Sequence, residues 1–133
     1  MTKYTNKSLY ARLLAEYKKD YDCEDYRYNT SAINRVLKKA LSDMCVANGM
    51  SLAAYSKGYF KGSAFIKRPD GLLVYVSIGD IRFDKERIVE TILFRAADDV
   101  KDYTGHSNDY SDWEGLPKAI LTMPPYAWER SKW

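Results

Sequence analysis

The sequence predicts an α+β domain: two N-terminal helices packed on a three-stranded antiparallel sheet, then a long acidic and aromatic loop and a short C-terminal helix. Three observations carry this expectation. Apolar residues recur at helical spacing over residues 7–21 and 33–45, then switch to strand-like alternation over 72–78. The tripeptide Pro69-Asp70-Gly71 separates two β-rich segments, as a hairpin turn does. Residues 98–115 hold six carboxylates, three aromatics, two glycines and the only histidine, with neither helical nor strand periodicity. Helices first and strands after them point to α+β rather than to alternating βαβ units.

The first helix runs over about 7–21, with an N-cap among Asn6 to Ser8 and a stripe of Leu9, Tyr10, Leu13, Leu14, Tyr17 and Tyr21. The segment 22–30 carries three acids, Asp22, Glu24 and Asp25, with Tyr26 and Tyr28, and breaks the period, so it reads as a loop. Thr30 or Ser31 caps the second helix. Its stripe of Ile33, Val36, Leu37, Ala40, Leu41, Met44 and Cys45 is the strongest periodic signal in the chain. Asn48-Gly49 ends this helix with residues that tolerate a left-handed conformation. Arg35, Lys38, Lys39 and Ser42 lie off the stripe and form a basic, solvated face.

Residues 58–68 read as the first strand. After the turn, Leu72, Val74, Val76 and Ile78 point one way and Leu73, Tyr75 and Ser77 the other. Gly79 suggests a bend, after which Ile81 and Phe83 resume alternation. The third strand has Ile92, Phe94 and Ala96 on one face and Leu93 and Arg95 opposite, with room for a helical turn before it. A weak helix from Ser111 or Asp112 to Leu121 contains Pro117, and residues 123–133 form an extended aromatic tail.

The 133 residues suit one domain, 1–133, able to bury a core without disulfides or metal. No stretch approaches the ~18–20 apolar residues of a membrane span, and the N-terminus has no signal-like apolar core. A cytoplasmic protein without a membrane partner is the expectation. Cys23 and Cys45 are too few for a disulfide scaffold and read as free thiols. With one histidine and no Cys-x-x-Cys, zinc is disfavoured; no metal, cofactor or catalytic residue is assigned. Residues 1–70 carry 13 Lys/Arg against 7 Asp/Glu, and residues 71–133 carry 8 against 11, so a basic and an acidic area are expected. The 12 tyrosines include many in polar settings, where a large ring with a polar tip favours recognition.

No nucleophile elbow, P-loop or dinucleotide fingerprint is present. His106 lies beside Ser107 and Asp109, but sequence neighbours on one loop rarely converge as a triad. No spacing from Asp98 or Asp102 fits a calcium-binding EF-hand loop. Asp102, Thr104, Asn108 and Asp109 suit side-chain-to-backbone turns, and Gly105 suits an angle other residues avoid. The expected recognition surface is therefore Asp99, Asp102, Tyr103, His106, Asp109, Tyr110 and Trp113.

Two resemblances bear on function. The order helix, three strands, helix over residues 31–121 is similar in topology to a double-stranded-RNA-binding domain, and the cations expected to meet phosphates in such a module are Lys57, Lys61, Lys67 and Arg68. The family's lysine-rich start to the last helix is replaced here by the acidic Ser111-Asp112-Trp113-Glu114. Separately, "ILFRAADDVKDYTGHSNDY", residues 92–110, resembles the Arg-Thr-Ala…Lys-Asp-Tyr-Thr-Gly-Gly-x-Asn pattern of small accessory proteins of phages and mobile elements of Gram-positive bacteria. Ala96 replaces the Thr, and His106 the second Gly. That resemblance implies proteins that block host defences such as CRISPR or restriction nucleases. The leading expectation is a non-enzymatic, anti-CRISPR-like inhibitor binding a host nuclease complex through the acidic, aromatic loop. The alternatives are a nucleic-acid-binding module and a small hydrolase using the loop carboxylates Asp98, Asp99, Asp102, Asp109 and Asp112.

Overall fold

The computed structural model describes residues 4–21, 31–58, 60–103 and 106–129. The predicted loop over 22–30, with Cys23, Tyr26, Tyr28 and Thr30, lies outside these residues, as do Thr104 and Gly105. The fold is α+β, with two N-terminal helices, α1 (Asn6–Tyr21) and α2 (Ser31–Ala47), against an antiparallel sheet. The sheet has five strands rather than three: β1 (Ser51–Lys57), β2 (Gly62–Lys67), β3 (Leu73–Ile78), β4 (Ile92–Ala97) and β5 (Asp109–Ser111), paired in sequence order. The α-β-β-β-α order expected over 31–121 is therefore not observed.

The helical stripes become the core because 3.6-residue spacing keeps them on one side. Leu9, Leu13, Ile33, Leu37, Ala40, Leu41, Met44 and Cys45 are buried, and Val36 packs beside them. Val74, Val76 and Ile78 enter the same core from β3, joined by Ala64, Ile66, Ile92 and Phe94 from β2 and β4. Leu72 lies before β3 and is half-buried. Helix α2 ends as Asn48-Gly49 predicts. Gly49 adopts φ 71°, its N–H reaches Val46 O at 3.4 Å, and Met50 N–H donates to Cys45 O at 2.8 Å, closing a Schellman cap. The β2–β3 turn also follows its residues: Gly71 has φ 88° and its N–H donates to Arg68 O at 2.9 Å.

The departures have local causes. Strand β1 falls in an alanine- and serine-rich stretch with weak strand propensity, and pairing with β2 forms it. Its register shifts between Leu52 and Ala54, which places Tyr55 on the core side opposite Ala64. Ile81 and Phe83 do not continue a strand. Asp80 accepts from Arg82 N at 2.9 Å, caps the short helix α3 (Ile81–Asp84), and leaves Phe83 exposed while Ile81 is buried. The helical turn expected before β4 is α4 (Arg87–Glu90). Pro117 sits in the first turn of α5 (Leu116–Leu121), where a missing N–H is harmless. Residues Pro125–Trp128 form a 3-10 helix rather than an extended tail. Among the described residues, no helix is long and apolar enough to cross a membrane.

Candidate functional site on the loop-covered sheet face

Antiparallel alternation puts Phe65, Tyr75 and Arg95 in one row across β2, β3 and β4, on the face turned away from α1 and α2. Phe65 and Arg95 are buried there outside the helix-side core. The cover is the chain that follows β4. Arg95 Nη2 donates to Asp102 O at 2.7 Å, and its guanidinium lies 4.4 Å above the Tyr75 ring. Tyr103 meets Phe65 and Tyr75 edge-on at centroid distances of 5.4 and 5.8 Å. A charged side chain thus pins the loop backbone, and three aromatic rings lock over it.

Further along, the loop binds itself. Asp98 N donates to Asp102 Oδ2 at 3.0 Å, Lys101 N to Asp99 Oδ1 at 2.8 Å, and Tyr110 N to Asp109 Oδ1 at 2.9 Å. These are the side-chain-to-backbone turns that Asp favours. Asp98 Oδ1 lies 2.9 Å from His106 Nε2. Asp98, Asp102 and His106 converge, with one potential ligand atom from each within 4.8 Å of the others. One imidazole and two carboxylates form a donor set of the kind that zinc or manganese accepts.

The expected recognition residues therefore divide. Tyr103 and Tyr110 are 53% and 55% exposed, and Asp99 and Asp109 are exposed around them. Asp102 is half-buried. His106 is not presented to solvent: its side chain is 7% exposed and turned to Asp98. Trp113 is not presented either. It is buried, its N–H donates to Val89 O at 2.7 Å and its indole Nε1 to Tyr4 O at 3.2 Å. Trp113 ties the end of the loop to the chain before α1. Asp112 assists, accepting from Asn6 Nδ2 and Gly115 N at 2.9 and 2.8 Å.

The four basic residues of the nucleic-acid reading are not brought together. Arg68 is an internal strut: Nη1 donates to Ile120 O at 3.1 Å and Met123 O at 2.8 Å, and the guanidinium sits 4.9 Å from the Trp128 ring centroid. Its hydrogen bond to Asp70 holds that carboxyl below the usual range. Strand β2 is 6 residues long, so Lys67 lies roughly 17 Å from the end where Lys57 pairs with Gly62. Lys57 and Lys61 do share a feature that sequence reading missed, a cleft beside Tyr75 at the β1–β2 end of the sheet. Comparison with protein-family models, curated proteins and solved structures finds no match to this chain.

Proposed function

We propose that this chain is a non-enzymatic binding protein whose loop over residues 98–110 recognises a basic surface of a protein partner. One observation carries the reading: Tyr103 is more than half exposed yet held edge-on by Phe65 and Tyr75, on a backbone pinned by Arg95. An aromatic anchor fixed before binding loses little rotamer entropy on docking. Tyr110 supplies a second anchor, and Asp98, Asp99 and Asp109 supply a charged rim that steers a basic partner. Together with the resemblance of residues 92–110 to phage accessory proteins, this favours a host defence nuclease, of the CRISPR or restriction type, as the target. The acidic loop would occupy its nucleic-acid channel.

The test pairs capture with titration. Immobilised wild type and a Tyr103→Ala/Tyr110→Ala variant are exposed to host lysate, and each captured nuclease is then purified and titrated. The double variant is expected to bind at least about 30-fold more weakly, since hot-spot aromatics each contribute about 1–2 kcal/mol or more. Wild-type association is expected to slow as salt rises. Unchanged affinity of the folded double variant would remove the loop as the interface. Turnover of a substrate by the purified protein, with no partner captured, would overturn the class.

A further inference from the structure

We propose that the cleft at the β1–β2 end of the sheet binds a single phosphate group, as inorganic phosphate or as the terminal group of a small phosphate ester. The cleft measures about 150 Å³, and its lining includes Ser56, Ser63, Ser77, Lys57, Lys61 and Tyr75. Register explains the hydroxyls: Ser56 pairs with Ser63 and Ser63 with Ser77, so three serines stand in one row across three strands on the loop-covered face. Among the described residues, the Ser63 and Ser77 hydroxyls and the Lys61 ammonium have no hydrogen-bond or ion-pair partner. Hydroxyl donors beside the Lys61 ammonium, with no carboxylate among the lining residues, form an environment for an oxyanion.

The cleft is also held in shape. Phe60, in the β1–β2 connection, has φ 52°, a conformation that a bulky side chain seldom adopts, and its ring is buried beneath Arg82 at 4.5 Å. Asn34 of α2 donates to Gly58 O at 3.0 Å and accepts from the Tyr55 hydroxyl at 2.6 Å. A Cβ on Gly58 would meet Lys61 Cγ at 2.8 Å, so glycine there permits the close approach of Lys61, while one on Gly62 would collide with the Tyr55 hydroxyl on the core side of the sheet. A strained, over-determined connection at a polar cleft is where functional geometry is stored.

Size and charge choose the ligand. The volume equals roughly five waters, and it falls below the ~300 Å³ at which pockets accept drug-sized molecules. It fits a phosphate with a few waters and is too small to enclose a nucleoside. The Tyr103 hydroxyl lies 3.4 Å from Ser56 Oγ, which brings the acidic loop to the rim of the cleft. Exposed Asp98 and Asp99 on that loop oppose an extended polyanion.

The test is a two-dimensional amide NMR titration with sodium phosphate, against sodium chloride at matched ionic strength. Saturable shifts are expected at the Gly58, Gly62, Ser63 and Ser77 amides with phosphate and not with chloride. Lys61→Gln and Ser77→Ala, both at solvent-accessible positions, should each raise the phosphate Kd about fivefold to tenfold. Lys67→Gln, at the far end of β2, should change it less than about twofold. Phenyl phosphate binding more tightly than phosphate identifies an ester as the preferred form, and equal or weaker binding identifies the free ion. Non-saturating shifts, or an equal loss from Lys67→Gln, would show diffuse surface charge and overturn the proposal. A short oligothymidylate binding more tightly than either phosphate compound would also overturn it.

Discussion

On the helix side of the sheet, Ile66, Val74, Val76, Ile92 and Phe94 meet the stripes of α1 and α2, and the seal is made mainly by apolar side chains. On the other side, one row of Phe65, Tyr75 and Arg95 is roofed by a loop whose lock is a guanidinium, a backbone carbonyl and the edge of a tyrosine ring. The first arrangement depends on area removed from water and is indifferent to direction. The second depends on a few oriented contacts. It can therefore hold the exposed Tyr103 in a fixed pose, but removal of one donor loosens it.

Four perturbations separate these two means. Leu41→Ala, at a fully buried position of α2, should have the largest effect. It opens a cavity under the helix side, with a loss of about 3 kcal/mol or more in chemical denaturation. A loss below about 1 kcal/mol would mean that the helix side is not the tightly packed face. Arg95→Met keeps the apolar stem but removes the donor to Asp102 O. A loss of about 1–3 kcal/mol is expected, with faster hydrogen exchange over residues 98–103 and unchanged protection in α2. Equal exchange increases in both regions would show one cooperative unit and erase the distinction.

Alkali should act on the helix side first. Burial raises the Cys45 thiol from its ordinary value of 9.0 to about 11, and burial also raises the Tyr55 hydroxyl. Below pH 9 the thiol is neutral whether the chain is folded or unfolded. Between 9 and 11 only the unfolded chain releases its proton freely, so stability should fall progressively across that window. The accompanying readout is alkylation of the Cys45 peptide, which should be negligible in the native protein at pH 8 and rapid in denaturant. Native-state alkylation as fast as in denaturant would contradict a sealed helix side. Tyr110→Ala should have the smallest effect on folding. The ring is mostly exposed on a three-residue edge strand, so stability should change by less than about 0.5 kcal/mol while partner affinity falls. A larger destabilisation would make Tyr110 part of the roof rather than part of the recognition surface.

Much of the helix side was legible in the sequence. The stripe of Ile33 to Cys45, the alternation through Val74, Val76 and Ile78, and the Asn48-Gly49 and Pro69-Asp70-Gly71 signals are local patterns. Helical pitch, strand pleat and turn angles translate them directly into faces and ends. The loop's acidic and aromatic character was equally visible, as were Tyr103 and Tyr110 as candidates for contact. Tertiary structure decided the rest. Strand β1 exists because β2 offers it a partner, and β5 because the edge of β4 needs one. Trp113 reads as a loop aromatic until Val89 and Tyr4 are seen to accept its two N–H groups. Arg68 reads as a surface cation until the carbonyls of Ile120 and Met123 claim it. The serine row needed the register of three strands to become a row at all. A periodic pattern states which way a side chain points, but partners distant in the chain determine what it meets there, and no local period encodes them.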